Sequence, residues 1–170
     1  QLATMISGAE QYLRLQIAAL ILKQRIEDYQ KKNKTPVLGR AGELFAKLTL
    51  GSYTNLRDEL DETGKPILLG VRPNDIEVSV DGMSDGTLDQ LYLSLRLATL
   101  EQHLKNGEPI PFIVDDILIG FDDNRTSACL EVLAELSANT QVLLFTHHRR
   151  VLELADMLTA KAGIFTHVLD

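Results

Sequence analysis

The sequence has no tryptophan and only 5% aromatic residues among its 170 positions. Proteins that hold single-stranded nucleic acid usually stack bases on aromatic side chains, so a base-stacking surface is not expected. Acidic residues outnumber basic residues by 24 to 17, and the net charge of -7 disfavours nucleic-acid binding through phosphate neutralisation by this chain alone. No apolar run approaches the roughly 20 residues of a membrane span, so a membrane is not expected as a partner.

Cysteine is nearly absent as well. The single residue, Cys129, cannot form an internal disulfide, which is typical of proteins from a reducing, cytoplasmic setting. Cys129 lies within a helical pattern and is expected to be inert. The N-terminus shows no basic-then-apolar secretion signal. With 45% hydrophobic residues, the chain can form one globular domain with a substantial core.

A glycine-rich phosphate loop is also missing. The pattern Gly-x-x-x-x-Gly-Lys-Ser/Thr, which cradles nucleotide phosphates, occurs nowhere in the sequence, and the glycines at 39, 42 and 51 do not approximate it. The chain by itself is therefore expected to bind ATP weakly or not at all.

Residues 1–34 are predicted to form one helix with two apolar stripes at spacings of three and four. Two stripes predict packing on two sides, as in a coiled-coil arm, although an ordinary long core helix also fits. No N-cap precedes the pattern, so we expect the helix to continue upstream. Lysines 31, 32 and 34 before Pro36 indicate a solvated helix end rather than a DNA-binding patch. The stripes comprise Leu13, Ile17, Leu20 and Gln24, and Leu15, Ala18, Leu22 and Ile26.

The following segment predicts a short helix and then an antiparallel meander. The helix is expected over 39–50 and is ended by Gly51. Alternation in the third strand is expected to turn Ile76, Val78 and Val80 inward. The strands are expected at 53–57, 67–71 and 76–80, separated by turn residues.

From residue 87 onwards, helices and strands alternate. The strands are apolar throughout, which predicts a parallel sheet covered by helices on both faces. The fold class is therefore α/β: a parallel sheet flanked by helices, with an antiparallel β-meander and a long N-terminal helix before it. Strands are expected at 110–114 and 142–145, and 164–168 fits a last strand; helices are expected at 87–105, 125–137 and 149–159. The first of these helices is expected to bury Leu88, Leu91, Tyr92, Leu95, Ala98 and Thr99.

Polar residues follow both main strands of this sheet. Asp115 and Asp116 end the first strand, and His147 and His148 follow the second. Ligands of open parallel sheets bind at the carboxyl ends of the strands, so these residues are candidates for a functional site. Carboxylates at such places also serve as helix caps or loop anchors.

A third polar cluster, Ser84 to Thr87, lies where the helix at 87 begins. Free amides and the helix dipole favour an anion there, and a serine hydroxyl with a glycine that admits close approach predicts a phosphate contact. Read alone, the same residues form an ordinary N-cap box.

The order of these clusters resembles the second half of an ABC-type ATPase head. In that resemblance residues 83–87 look like the signature motif and residues 113–116 like the Walker B strand. Residues 120–122 look like the D-loop, and His147 looks like the switch histidine. The order carries the resemblance, because each motif alone is weak.

Within the ABC ATPases, the closest likeness is to the coiled-coil group of SMC, SbcC and YhaN-like proteins. The run Gly-Thr-Leu-Asp-Gln-Leu-Tyr-Leu-Ser-Leu-Arg-Leu-Ala at 86–98 is similar to the signature helix of YhaN-like proteins. The resemblance covers residues 36–170 as the C-terminal lobe of a head. Residues 1–35 fit the returning arm of its coiled coil.

The resemblance implies an ATPase with ATP and Mg²⁺. Asp115 would hold Mg²⁺, a hard cation that prefers oxygen ligands. Asp116 would orient or deprotonate the attacking water, and His147 would hydrogen-bond the γ-phosphate. These three residues would act within one head.

Other residues would act between two heads. The signature residues Ser84, Gly86 and Thr87 would contact ATP held by a second head, and Asp122 would lie at the head–head contact. The implied partners are an N-terminal lobe with the phosphate loop, on the same full-length chain or another, and a second identical head. Through the full-length protein, DNA and a nuclease are further partners, in DNA repair or chromosome maintenance.

The sequence departs from the pattern of most ABC proteins at three positions. Asp85 stands where glycine is common, and Thr87 replaces glutamine or glutamate. Asp116 stands where glutamate is usual, which shortens the side chain by one methylene, about 1.5 Å. Hydrolysis is therefore expected to be slow or to depend on a partner or DNA.

Two other classes of function remain open. Asp115, Asp116, His147 and His148 could bind metals directly in a phosphoesterase or nuclease. Adjacent residues of a strand point to opposite faces, which disfavours both carboxylates gripping one ion. The chain could also be a non-catalytic coiled-coil dimerisation module.

Overall fold

The structure is a computed structural model that describes residues 12–17, 19–21, 36–61, 63–105 and 107–168, with the backbone alone for 159–162. The chain divides into two compact units, Gln1–Thr35 and Pro36–Asp170. In the first unit, residues 12–17 and 19–21 are α-helical, and the stripe residues Leu13, Ile17 and Leu20 are exposed. The rest of the helix predicted over 1–34 lies outside the described residues. No helix in the described ranges is long and apolar enough to cross a membrane.

The second unit begins with helix α1, Pro36–Leu48. Proline suits this first position because the amide it lacks would have no partner within the helix. The helix starts three residues before the predicted position, and it ends before Gly51, which has a left-handed φ of 78°. Its buried face comprises Ala41, Gly42, Leu44, Phe45 and Leu48.

A three-stranded antiparallel sheet follows, in the order β1-β2-β3. Its strands are β1, Asn55–Leu60, β2, Pro66–Arg72, and β3, Ile76–Ser79. The predicted meander is therefore confirmed. Gly70 permits close packing in the central strand, since a Cβ there would lie 2.6 Å from Met83 Cε and 2.8 Å from the Tyr53 ring.

One expectation for the meander is wrong. Val78 and Val80 pack partly against the core, but Ile76 is 55% exposed. Ile76 is the first residue of an edge strand, directly after Asn74 and Asp75, which both have positive φ. The alternation in the sequence does not show that this end of β3 lies beyond the core.

The rest of the unit alternates helices and strands, as predicted. Strands β4 and β5 pair in parallel, with Val114 opposite Leu144 and Asp115 opposite Phe145. Residues 164–168 are described and form no strand, so the predicted last strand is wrong. The elements are α2, Asp85–Leu104, β4, Phe112–Asp115, α3, Asp123–Ser137, β5, Val142–Phe145, and α4, Arg149–Ala162.

Helix α2 buries Leu91 and Ala98 as expected, and Leu88 and Leu95 in part. The prediction is wrong for Tyr92 and Thr99, which are exposed, and the polar side chains of Gln90 and Ser94 are fully buried instead. Apolar periodicity does not indicate buried polar residues, so it predicts only part of this face. The buried positions are Thr87, Gln90, Leu91, Leu93, Ser94, Leu97, Ala98 and Leu100.

The core lies mainly between the four helices of this unit. Helices α1 and α2 are joined by a two-point ion pair in which Arg40 Nε and Nη2 donate to Glu101 at 2.6 and 2.9 Å. Cys129 on α3 is fully buried, and burial raises the pKa of its thiol to about 12. A thiol so protected is not a nucleophile at neutral pH, in keeping with the inert role expected of it.

Within the described ranges, the parallel sheet is covered on one face only, whereas the sequence predicted helices on both faces. Val114 is 7% exposed, whereas its neighbour Ile113 is 59% exposed and Phe145 is 45% exposed. Side chains alternate along a strand, so these exposed residues share one face. We call this surface the open face; it comprises Ile113, Asp115, Leu143 and Phe145.

Candidate functional site

Two predicted site residues meet where β4 and β5 end. The Asp116 amide donates to the Phe145 carbonyl at 2.9 Å, which continues the strand pairing by one residue. The His147 amide donates to Asp116 Oδ1 at 3.2 Å, and His147 Nδ1 hydrogen-bonds Asp116 Oδ2. The carboxyl ends of adjacent parallel strands thus bring an acid and an imidazole together.

The backbone at Asp116 is strained. Its φ is 46°, in the left-handed region that residues with a side chain seldom adopt. Such a conformation persists only where surrounding bonds hold it, here those from the Asp116 amide and from His147.

The environment of Asp116 favours its charged form. Partial burial acts to raise the pKa of this carboxyl, but hydrogen bonds from the Thr146 hydroxyl and from His147 outweigh burial and hold the pKa below its ordinary value of 3.8. Asp116 is therefore ionised at neutral pH and engaged by His147. A carboxylate with a low pKa is a weak proton acceptor.

Asp115 stands apart from this pair. It is the last residue of β4, its side chain is exposed, and it belongs to the open face. Among the described residues, the metal-compatible cluster at this edge contains Asp116, His147 and His148 but not Asp115. The set of four metal ligands considered for a phosphoesterase is therefore only partly assembled.

Ser84 is the N-cap residue of α2 by its backbone, and its carbonyl accepts from the amides of Thr87 and Leu88 at 2.9 Å. Its side chain does not cap the helix. Instead the Ser84 hydroxyl lies 2.9 Å from the Thr87 hydroxyl. The ordinary N-cap interpretation thus holds for the backbone of Ser84 but not for its hydroxyl. Asp85, the first residue of the helix, is exposed.

Gly86 connects the start of α2 to the loop that follows Asp116. A Cβ at Gly86 would lie 2.9 Å from the Gly120 carbonyl oxygen, so the two backbones touch. A Cβ at Gly120 would in turn lie 3.4 Å from Asp89 Oδ2. The segments that resemble the signature and the D-loop are therefore in direct contact within one chain.

Asp122 is the N-cap of α3, and its Oδ1 accepts from the Arg125 amide at 2.9 Å. The sequence analysis placed Asp122 only at a head–head contact. Aspartate directly before a helix is also a common N-cap residue, because its side chain can accept from an amide of the first turn. The next residue, Asp123, pairs with Arg150 at 2.8 Å. That guanidinium lowers the pKa of Asp123, and the pair links the starts of α3 and α4.

The structure adds residues that the sequence did not single out. A cavity of about 370 Å³ lies between α2 and the 116–120 loop, and Asp89 and Arg96 line it together with Asp116. His148, which the sequence offered only as a ligand in the metal-binding alternative, lies at the N-cap of α4 with its ring centroid 4.1 Å from that of His147.

No family model matches the chain. The uncharacterized protein YhaN of Bacillus subtilis is 31% identical over 144 residues, which are 84% of this chain and 14% of YhaN. The DNA double-strand break repair Rad50 ATPase of Methanocaldococcus jannaschii is 29% identical over 86 residues, 51% of this chain and 8% of Rad50. The chain thus spans a small part of the length of these relatives.

A solved structure shares the fold. A protein from work on ATP-driven dimerization and DNA-stimulated activation of SMC ATPases superposes with a TM-score of 0.57 at 20% identity. The match covers 71% of this chain and 73% of that one. The chain therefore resembles the C-terminal part of an SMC-like ATPase head, in sequence through YhaN and Rad50 and in fold through the SMC structure.

Proposed function

We propose that this chain is the C-terminal lobe of a head that binds and hydrolyses ATP, in DNA repair or chromosome maintenance. The observation that carries the proposal is the contact of Asp116 with His147 at the ends of two adjacent parallel strands. A carboxylate and an imidazole on neighbouring strand ends are positioned to act on one reacting group.

Within the head, Asp116 orients the attacking water or accepts its proton, and His147 hydrogen-bonds the γ-phosphate. Asp115 offers an exposed carboxylate at the end of β4, and a carboxylate oxygen fits Mg²⁺. When bound, that ion neutralises charge on the phosphates. The contact between Asp116 and His147 holds both residues in a resting arrangement until a nucleotide and its water arrive.

Between heads, Ser84, Gly86 and Thr87 contact ATP bound to a second copy. The hydroxyl of Ser84 supports this role because it is not used to cap α2. Asp122 lies at the contact between the two heads, where its N-cap bond fixes its position. Homodimerisation thereby completes each site with residues of the other head.

A second lobe, on the same full-length chain or another, provides the phosphate loop. The open face supports this part of the proposal, because parallel sheets are found covered on both faces and Ile113, Leu143 and Phe145 are not. Residues 1–35 serve as the returning arm of a coiled coil. DNA is a partner through the full-length protein in the cytoplasm, a proposal supported by the DNA double-strand break repair role of Rad50 and by the DNA-stimulated activation of SMC ATPases. A nuclease is a further proposed partner.

The test uses complete heads that carry single substitutions. Asp116→Asn and Ser84→Arg each abolish hydrolysis alone, but each damages a different half of the composite site. In a random mixture half of the dimers are mixed and each has one intact site, so about a quarter of the wild-type rate returns. Absence of any recovery, with dimerisation intact, would contradict the composite site.

The same preparation separates the two rival functions. Cleavage of a phosphodiester with divalent metal and no ATP would favour a phosphoesterase built on Asp116, His147 and His148, the cluster that the structure does assemble. Dimerisation that is indifferent to ATP would favour a non-catalytic module.

A further inference from the structure

Three metal-ligating side chains converge at the edge of the parallel sheet. Asp116, His147 and His148 each place one ligand atom within 4.8 Å of the other two. They come from two separate segments, since Asp116 follows β4 and the histidines follow β5. The strand pairing, and not their sequence proximity alone, brings them together.

The type of ligand narrows the type of cation. Two imidazoles with one carboxylate suit Zn²⁺ and neighbouring transition metals such as Co²⁺ and Ni²⁺, whereas Mg²⁺ and Ca²⁺ prefer oxygen ligands alone. Three protein ligands also leave a fourth position of a tetrahedral zinc ion open to water.

The geometry requires only a small adjustment. Ligand atoms around tetrahedral zinc lie roughly 3.3 Å apart, given bonds of about 2.0 Å. The His147 side chain is 71% exposed, so it can rotate to close the gap. Its Nδ1 already faces Asp116 Oδ2, and a cation can take the place of the proton that these two atoms share.

The backbone of His148 is fixed by a hydrogen bond, whereas one nitrogen of its ring forms none. Its amide donates to the Thr146 hydroxyl at 3.1 Å, which fixes the turn into α4. Its Nε2 is buried and has no hydrogen-bond partner among the residues that the structure describes, an uncommon condition for a polar side-chain atom. A ring in this condition is available to a ligand.

We propose that Asp116, His147 and His148 form a binding site for one Zn²⁺-class transition-metal ion. Binding displaces the proton between His147 and Asp116 and does not depend on ATP. A consequence that rests on the function proposed above is that bound zinc withdraws Asp116 and His147 from hydrolysis, so zinc inhibits a complete head.

The direct test measures metal binding by the 170-residue chain without nucleotide. Co²⁺ is titrated while its visible absorption is recorded, and Zn²⁺ affinity is measured by competition with a chromogenic chelator. Wild type is compared with two site variants, His148→Gln and His147→Gln. The His147 side chain is exposed, so its replacement should not disturb folding. The control variant replaces the other two histidines, His103→Gln with His167→Gln.

Wild type and the control are expected to bind one equivalent of Zn²⁺ and to give the same Co²⁺ spectrum. Both site variants are expected to lose at least about tenfold in affinity, the loss that follows even from removing an outer-sphere partner. Millimolar Mg²⁺ should not displace the zinc. Equal affinity in wild type and both site variants, or ready displacement by Mg²⁺, would overturn the proposal.

A second measurement distinguishes this site from the ATPase. In complete heads, hydrolysis with zinc is compared with hydrolysis in chelated buffer for each variant separately. Zinc should inhibit the wild-type head, and the fold inhibition should be at least about tenfold weaker in His148→Gln at the same zinc concentration. A head that is inactive in chelated buffer would count against the proposed function alone. Zinc inhibition that persists in His148→Gln would count against the metal site alone.

Discussion

The two sheets of this protein differ in how much of their apolar surface the described chain covers. The antiparallel meander has buried side chains such as Leu56, 1% exposed, and Val71, 4% exposed, and its strand β1 contacts α1. The parallel pair β4–β5 is packed on one face and leaves apolar residues exposed on the other. Both sheets belong to the same unit.

The difference follows from how the two kinds of sheet are built. Antiparallel strands are joined by short turns and tolerate one wet face, so a meander can be completed locally. Parallel strands need partners and covering elements from further along a chain. The candidate site residues lie on the parallel pair, where the sheet is least complete, and the proposed second lobe accounts for this.

The largest effect is expected from Asp116→Asn in a complete head. Loss of a positioned base or water-orienting group lowers hydrolysis by on the order of 10²–10⁴-fold. The matched control is Asp58→Asn, an exposed carboxylate in the meander, which should leave turnover unchanged. Steady-state phosphate release measures both variants. Wild-type turnover in Asp116→Asn would show that Asp116 is not the base.

A comparison of truncated apolar residues tests the difference between the sheets. Leu56→Ala in the meander should cost about 2–5 kcal/mol of unfolding free energy, because the side chain is fully packed. Phe145→Ala on the open face should cost less than about 1 kcal/mol in this chain, since much of the ring is already in water. Urea unfolding followed by circular dichroism measures both. Equal costs would mean that the open face is not open.

The close contact at Gly86 is expected to have a smaller effect. Gly86→Ala should destabilise the chain by about 1–3 kcal/mol, because a Cβ would lie 2.9 Å from the rigid Gly120 carbonyl. Gly39→Ala in α1 is the control: nothing lies within 4 Å of its Cβ position, so helix propensity should stabilise it by about 0.5–1 kcal/mol. Equal destabilisation of both variants would show that the contact between Gly86 and Gly120 does not cause the cost of Gly86→Ala.

The smallest expected effect is a loss of folding stability at low pH. The pKa of Asp116 is lowered by Thr146 and His147 against the opposing effect of burial, and the pKa of Asp61 in the meander is lowered by the Thr63 hydroxyl and the Lys65 amide. The folded state thus holds fewer protons than the unfolded chain, so this stabilisation is full above the ordinary value of 3.8 and is lost as the pH falls through the folded pKa.

Asparagine variants at these two positions measure this effect. The difference in stability between wild type and Asp116→Asn, and likewise Asp61→Asn, should shrink as the pH falls below 3.8. Only Asp116→Asn should also impair hydrolysis. A stability difference that grows on acidification would contradict the assigned direction of either shift.

Local patterns predicted most of the fold. The bounds of β5 match the prediction, and the meander follows from three β-rich runs separated by turn residues. The errors concern the surroundings of an element: the exposure of Ile76 in β3, the exposure of Tyr92 and Thr99 in α2, and the unpaired segment 164–168. Which neighbour covers a side chain depends on the tertiary structure. Apolar periodicity predicts the buried face of a helix only when polar residues are exposed, and Gln90 is buried.

Some features of the candidate site could also be predicted from the sequence, and others depend on tertiary packing. Strand ends in a parallel sheet lie at a common edge, so the proximity of Asp116 and His147 could be predicted. The contact of Gly86 with Gly120 depends on how α2 lies against a loop, and no spacing in the sequence encodes it. The position of His148 depends on the turn held by Thr146, which likewise appears only in three dimensions.

The most direct test of a site completed by a second lobe is calorimetric titration of Mg²⁺–ATP into the 170-residue chain and into a complete head. The chain alone should give no binding at micromolar ATP, because it lacks the phosphate loop, whereas the complete head should bind. Micromolar binding of ATP by the chain alone would contradict the account.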